Sequence, residues 1–435
     1  MTTFYMLASL FGILCTANLY YPRGTNAKLG LASFVFGVLF GELAIFLLPL
    51  QIISVGLFLM AGVVDGFWTQ SMLLLTLISW CAQLIYIIDS ARSATPLRTA
   101  LDSAGIASYA ANGKLNIELR PVVIANPGRT NPFWQRVRKP FSIRLDNVAC
   151  QKGIVYKTVD QQPQALDIYH RKDLHSINQA PVLLYIHGGG LLEYGGTRMG
   201  QGLPLLNELA SRGWICVSID YRLSPRNQWP AHIIDCKSAL QWIKENIELY
   251  GGNPDFVMTA GDSAGGQLSA LMALTANQPE FQAEHPELDS RIQGAICFYG
   301  VMDFCNLYGT SHNDESGEMW AEQVIGADLQ DPAQLPLFKS ASAIAQASEH
   351  NEPASIPDCL LIHGTHDSLV DVRESRLLAE KLGQVSENKV IYAEIPGAQH
   401  AYNMFRSIRS ELVLTEVTRF AESIHQQYQM QQLND

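Results

Sequence analysis

Residues 256–276 read FVMTAGDSAGGQLSALMALTA. The opening run is apolar and the residues after Ser263 are small and helix-compatible. The stretch therefore predicts a strand over 256–261 and a helix over 264–276, joined at Gly261-Asp262-Ser263-Ala264-Gly265. A G-x-S-x-G between strand and helix is the context of a nucleophile elbow. The sharp turn lifts the Ser263 hydroxyl above a sheet, and small flanking residues let the backbone pass without clash. Ser263 at a helix N-terminus also directs backbone N–H groups toward developing negative charge. A bare G-x-S-x-G recurs by chance, so its surroundings decide the reading.

Outward from this segment the same texture repeats. Short apolar runs predict further strands at 153–159, 166–170, 181–187, 214–220, 292–298, 358–363 and 389–395. Helical stretches are expected at 200–211, 231–250, 371–383 and 411–427. The runs PVLLYIH, WICVSID and CLLIHG lack polar alternation, as strands covered on both faces should. Strand–helix alternation of this kind implies an α/β fold with a mostly parallel, doubly covered sheet. Residues 299–357, irregular and including Trp320, interrupt the alternation. Such an excursion belongs above the carboxyl ends of the strands, as part of a lid or acyl pocket.

His187-Gly188-Gly189-Gly190 ends the 181–187 run. Consecutive glycines leave N–H groups unobstructed, as an oxyanion hole requires, and one such donor is worth about 3 kcal/mol. The expected donors are the amides of Gly189, Gly190 and Ala264, with His187 orienting the loop rather than carrying protons. A serine nucleophile also needs a base, and the base an orienting carboxylate, in the chain order Ser, acid, His. Asp367 follows the 358–363 run and His400 follows the 389–395 run, the expected places for acid and base. Asp371 is an alternative acid but reads better as a helix N-cap. His366 is an alternative base, but it neighbours Asp367 and should point elsewhere.

With HGGG at 187–190, DYRLSPRNQWPAHIID at 220–235 and GDSAGGQLSAL at 261–271, the chain resembles the hormone-sensitive-lipase-like branch of the α/β-hydrolases. Over about residues 150–425 it looks especially like the membrane-anchored carboxylesterases of mycobacteria. The resemblance implies an α/β-hydrolase fold and hydrolysis of short- to medium-chain esters through an acyl-enzyme, with no metal or organic cofactor. One departure bears on the acyl pocket: where the family usually carries Phe or Trp after HGGG, this chain has Leu191, followed by Glu193. Two rivals are a serine peptidase of the same fold and a non-catalytic membrane receptor. No feature marks a peptide-binding domain, and the full set of triad and glycine-loop residues argues against a dead enzyme.

Residues 1–88 carry only Arg23, Lys28, Glu42 and Asp65 as charged side chains. Apolar stretches near 4–20, 29–48, 52–64 and 69–88 predict an anchor of three or four helical segments. The stretch between Pro49 and Asp65 is short enough to be re-entrant. No basic region precedes the first run, which argues against a cleaved leader. The net charge of −11 is uneven: nine Lys/Arg lie between Arg92 and Arg144, while from Asp146 onward 19 basic residues face 36 acidic ones. A basic collar between an apolar segment and an acidic globule is no nucleic-acid footprint. It fits contact with anionic lipid headgroups, with Phe133, Trp134 and Phe141 interleaved among Arg136, Arg138 and Lys139. The expected organisation is an anchor over 1–89, a basic linker or cap element over 90–150 and a catalytic domain over 151–430. The expected partners are a lipid bilayer and a small, membrane-partitioning ester. A multi-pass location is expected, with the catalytic domain on the cytoplasmic face by the charge rule. That side requires an odd number of spans. The eight cysteines lack paired or zinc-type spacing.

Overall fold

The computed structural model describes residues 1–24, 27–106, 133–173, 179–310, 314–350 and 352–434. Among these, every apolar run read as a strand becomes one. They are β1 (Val148–Val159), β2 (Gln162–Arg171), β3 (Ala180–Ile186), β4 (Ile215–Ile219), β5 (Gly252–Asp262), β6 (Gly294–Phe298), β7 (Asp358–Gly364) and β8 (Val390–Ile395). They form one sheet in the order β1-β2-β4-β3-β5-β6-β7-β8. β1 and β2 form an antiparallel hairpin, β2 meets β4 antiparallel, and the remaining pairs are parallel. Because β3 lies between β4 and β5, the strand order reverses at the centre of the sheet. The crevice above the carboxyl ends of β3 and β5 is therefore the natural ligand site.

Successive β3 residues feed two cores. Val182, Leu184 and Ile186 join one apolar cluster, while Leu183 and Tyr185 join the other. This is the period-two alternation of a strand covered on both faces. One cluster packs against α8 (Ala231–Asn246), α9 (Ala264–Leu274), α12 (Ala343–Glu349) and α13 (Val372–Val385). The other packs against α5 (Thr95–Ser103), α7 (Leu203–Ser211) and α14 (Ile408–Asn434). Leu97 and Leu101 of α5, in the segment read as a linker, are fully buried in this second core. α5 is the one helix described between Ser90 and residue 106 of the expected 90–150 linker, and residues 107–132 lie outside the described residues. The excursion over 299–357 contains α10 (Asp314–Trp320), α11 (Leu335–Ala341) and α12.

The N-terminal apolar stretches form α1 (Thr2–Tyr20), α2 (Ala27–Glu42), α3 (Ala44–Met60) and α4 (Phe67–Ser90). Tyr5 bonds to the Thr69 carbonyl near one end of α1 and α4, and Tyr20 to that of Ala82 near the other, so these helices run parallel. Between them Ser79 and Gln83 bond to the Thr16 hydroxyl at 2.7 and 2.6 Å, polar contacts that hold apolar helices together. Two helices, α1 and the one beginning at Phe67, are long and apolar enough to cross a membrane. The expected stretch 29–48 is not one straight segment. It breaks at Leu43, and the helices over Lys28–Glu42 and Ala44–Met60 are bent by 87°. The break follows Glu42, whose carboxylate is held in a buried ion pair with Arg409. Pro49 lies inside α3 instead of ending a segment.

The basic collar is partly spent within the protein. Arg98 pairs with Glu416, and Arg136, on the short α6 (Phe133–Val137), pairs with Glu208 and Glu411. Arg92, Arg138, Lys139 and Arg144 are exposed, as are Trp134 and Phe141. Lys114, Arg120 and Arg129 lie outside the described residues.

Candidate active site

The turn from β5 into α9 forces Ser263 to φ +55° and ψ −122°. A non-glycine residue held there stores about 1–3 kcal/mol of strain, which the surroundings must sustain. The Ser263 amide donates to the Phe298 carbonyl at 2.9 Å, tying the turn to the end of β6. Its flanking glycines are obligatory: a Cβ at Gly261 would strike the Gly265 carbonyl, and one at Gly265 the Ile186 carbonyl. Asp262 is buried beneath the turn.

The glycine loop after β3 presses on this elbow. A Cβ at Gly188 would run into the Asp262 carbonyl and stand 2.9 Å from Ser263 Cβ. The Gly188 amide donates to Gln201 at 2.6 Å. Gly189 and Gly190 hold φ of +113° and +67°. Among the described residues, no hydrogen bond uses the amides of Gly189, Gly190 or Ala264. His187 donates from Nδ1 to the Gly188 carbonyl at 2.7 Å and stacks on Tyr221 with ring centroids 4.4 Å apart. Burial pushes its pKa below the usual histidine range, which keeps the ring neutral.

The string at 220–235 acts as a brace for this loop. The Tyr221 hydroxyl donates to the His187 carbonyl at 2.7 Å, and the Ser224 amide donates to Leu191 at 2.8 Å. The Trp229 amide reaches the Val324 carbonyl at 2.8 Å, linking the brace to the excursion. From that excursion Trp320 lies over the glycine loop, its ring 2.6 Å from where a Gly190 Cβ would stand.

Asp367 and His400 meet on the loops after β7 and β8. His400 Nδ1 donates to Asp367 Oδ2 at 2.6 Å, with both residues buried. Asp367 Oδ1 accepts the amides of Leu369 and Val370, each at 2.9 Å, and His363 Nε2 stands 3.2 Å from Oδ2. Burial alone would raise the Asp367 pKa. The charge on His400 and the hydrogen bonds from His363 and His400 outweigh it and hold the carboxyl well below its usual range. Asp371 instead caps α13, accepting the Arg373 amide at 2.9 Å. His366 turns away from this pair and bonds to the Leu19 carbonyl at 2.8 Å.

Elbow and base are brought together through side chains that the sequence reading did not single out. Asn403 donates to Asp262 at 3.2 Å and accepts from the Tyr299 hydroxyl. The Tyr299 ring lies 4.6 Å from that of His400 and follows directly on Phe298, which anchors Ser263. Gln399 Oε1 accepts the amides of Ser368 and His400 at 2.7 and 2.9 Å, bridging the acid and base loops. Phe34 of α2 meets the His400 ring edge-on at 5.9 Å. Gln399 and Asn403 lie within three residues of His400, so proximity in sequence was a usable signal; Tyr299 and Phe34, distant from every expected site residue, offered none. Among the described residues, no hydrogen bond joins the Ser263 hydroxyl to His400, and no group of three or more His, Cys, Asp or Glu could hold a metal ion.

The family model BD-FAE matches residues 166–382. The probable carboxylic ester hydrolase LipM of Mycobacterium tuberculosis is 42% identical over 262 residues, which are 60% of this chain and 58% of LipM. Esterase LipC of the same organism is 35% identical over 267 residues, 61% of this chain and 64% of LipC. Over the matched residues the chain is similar to carboxylic ester hydrolases. Its matches take in about three fifths of the length of these curated relatives. Among solved structures, a truncated carbohydrate esterase from gut microbiota aligns with a TM-score of 0.53 at 22% identity, covering 65% of this chain and 99% of that one. A thermophilic esterase from Thermogutta terrifontis aligns at 0.50 and 23% identity, covering 66% and 94%. Both likenesses speak to the fold alone: a mostly parallel, eight-stranded sheet flanked by helices.

Proposed function

We propose that the protein is a serine carboxylesterase in which Ser263 is the nucleophile, His400 the base and Asp367 the orienting acid. The observation that carries this reading is the 2.6 Å bond from His400 Nδ1 to Asp367, on loops at the same end of the sheet as the strained Ser263 elbow. That bond fixes the His400 tautomer with Nε2 free to take a proton. His400 removes the Ser263 proton as the hydroxyl attacks the ester carbonyl. The amides of Gly189, Gly190 and Ala264 receive the oxyanion, supported by the N-terminus of α9. Collapse expels the alcohol, which takes its proton from His400. Water then attacks the acyl-enzyme by the same route, releasing the acid and restoring Ser263. No metal or organic cofactor enters these steps.

The substrate in this reading is a small carboxylic ester that partitions into lipid. The exposed apolar side chains along α1, α3 and α4, among them Leu7, Leu14, Leu57, Leu74 and Ile78, support embedding of the N-terminal helices in a bilayer. Arg23 follows α1 and Lys28 opens α2, and the positive-inside rule then favours a cytoplasmic catalytic domain. The test is turnover of p-nitrophenyl esters and labelling by a fluorophosphonate. Both should disappear in Ser263→Ala, and full activity in that variant would sink the assignment. Protease accessibility in oriented vesicles checks the side.

A further inference from the structure

A tether needs only to stay in the membrane, yet the N-terminal helices grip the loops that carry Asp367 and His400. The face of α2 turned to the hydrolase carries Gly30, Phe34 and Gly37, spaced three or four residues apart. The glycines permit contact that side chains would block. A Cβ at Gly30 would stand 2.9 Å from the Ser368 carbonyl oxygen, and one at Gly37 would stand 3.1 Å from Gln399 Nε2. Ser368 Oγ also donates to the Gly30 carbonyl at 3.1 Å, and Phe34 abuts His400. α2 thus packs on Gln399, the residue that bridges the acid and base loops.

A second set of contacts reaches the same loop from α4. The Tyr86 hydroxyl donates to the Gly397 carbonyl at 2.7 Å, three residues before His400. A buried cluster holds Tyr86 in place. The Arg409 guanidinium lies over its ring at 4.9 Å, pairs with Glu42 and bonds to Ser90 at 3.2 Å; Ser407 donates to Glu42 at 2.5 Å. In the low dielectric of the interior such hydrogen bonds and ion pairs are strengthened, and they hold the Tyr86 ring against the loop. Both sets of contacts end within three residues of His400 or Asp367.

We propose that the N-terminal helices are a working part of the active site, with Tyr86, seated by the Glu42–Arg409 pair, as a positioning residue for His400. This rests on the triad reading above. A shift of about 1 Å in a reacting group can cost on the order of 100-fold in rate, so a loop held from two sides by these helices depends on them for its geometry.

The test uses the full chain in detergent micelles. Tyr86→Phe removes one hydroxyl and keeps the ring under Arg409. Active sites are counted by fluorophosphonate titration, and kcat per titrated site and KM are measured with p-nitrophenyl acetate. A purely structural role would lower the number of sites but leave kcat per site unchanged. The expected result is a kcat per site lowered roughly 10- to 100-fold, with KM moved far less. Ser79→Ala, which loses a contact inside the helical bundle away from these loops, should keep kcat per site. Wild-type kcat per site in Tyr86→Phe overturns the inference. Ser263→Ala run in parallel separates the readings: if it loses the label while Tyr86→Phe turns over normally, only the inference fails. A label retained by Ser263→Ala overturns the triad, and the inference with it.

Discussion

Replacing Asp367 with Asn should reduce kcat by about four orders of magnitude while leaving the fold in place. The surroundings dictate how the new side chain must sit. Two backbone amides, from Leu369 and Val370, point at the Oδ1 position from 2.9 Å, so the amide oxygen of Asn has to occupy it. The NH2 group then falls where Oδ2 now accepts from His400 Nδ1 at 2.6 Å. A donor facing a donor is repulsive, and the imidazole responds by moving its proton to Nε2. That nitrogen is the one needed to take the Ser263 proton. Loss of the carboxylate also removes the charge that stabilises the imidazolium. A 10⁴-fold loss corresponds to about 5 kcal/mol of transition-state stabilisation. The assay is kcat with p-nitrophenyl butyrate, with circular dichroism as the control for folding. An Asp367→Asn enzyme retaining a tenth or more of wild-type kcat would refute the orientation argument.

Three further outcomes follow from the same geometry. Trp320 lies against Gly190, so Trp320→Ala should open the acyl side; kcat/KM for octanoate over acetate esters should rise about tenfold, on the scale of 1–3 kcal/mol per methylene accommodated. Because the Asp367 pKa is depressed, its contribution to stability is complete above an unfolded carboxylate value of about 3.9 and is lost as pH falls below it; the melting temperature of Asp367→Asn should approach that of wild type as pH drops from about 5 to 3. Lys237 is the opposite case. Burial lowers its pKa to about 7, so between there and the unfolded value of about 10.4 the unfolded chain holds more protons and stability rises with pH. Wild type should therefore gain melting temperature relative to Lys237→Met between pH 7 and pH 9, and a constant difference would contradict the buried, neutral lysine.

The elements of the sheet and the residues of the candidate site were legible because their signals are local. An unbroken apolar run such as PVLLYIH can only be covered on both faces, and each run read this way became a strand. Gly261 and Gly265 stand in adjoining turns of backbone where a Cβ would collide, so the residue type records the geometry directly. Asp367 and His400 could be located because chain order and strand ends restrict where an acid and a base can lie. The 29–48 stretch misled because hydropathy carries no information on direction. It registers apolar residues equally along a straight span and across an 87° bend.

Everything that depended on composition, periodicity and position after a strand was therefore present in the chain alone: the α/β class, the strand-to-helix turn at Ser263, the glycine loop and the places of Asp367 and His400 after their strands. Folding supplied the meeting of distant parts. Glu42 and Ser407 touch across 365 residues, and Tyr86 and Gly397 across 311. In the sequence, Gly30, Gly37 and Gly41 look like the small residues of any apolar helix packing in a membrane. That Gly30 and Gly37 meet the loops of Asp367 and His400 was decided by the tertiary structure, as was the buried ion pair of Glu42 and Arg409, whose two halves lie at opposite ends of the chain. A contact of that kind leaves no periodic trace, because its energy comes from proximity in space rather than from spacing along the backbone.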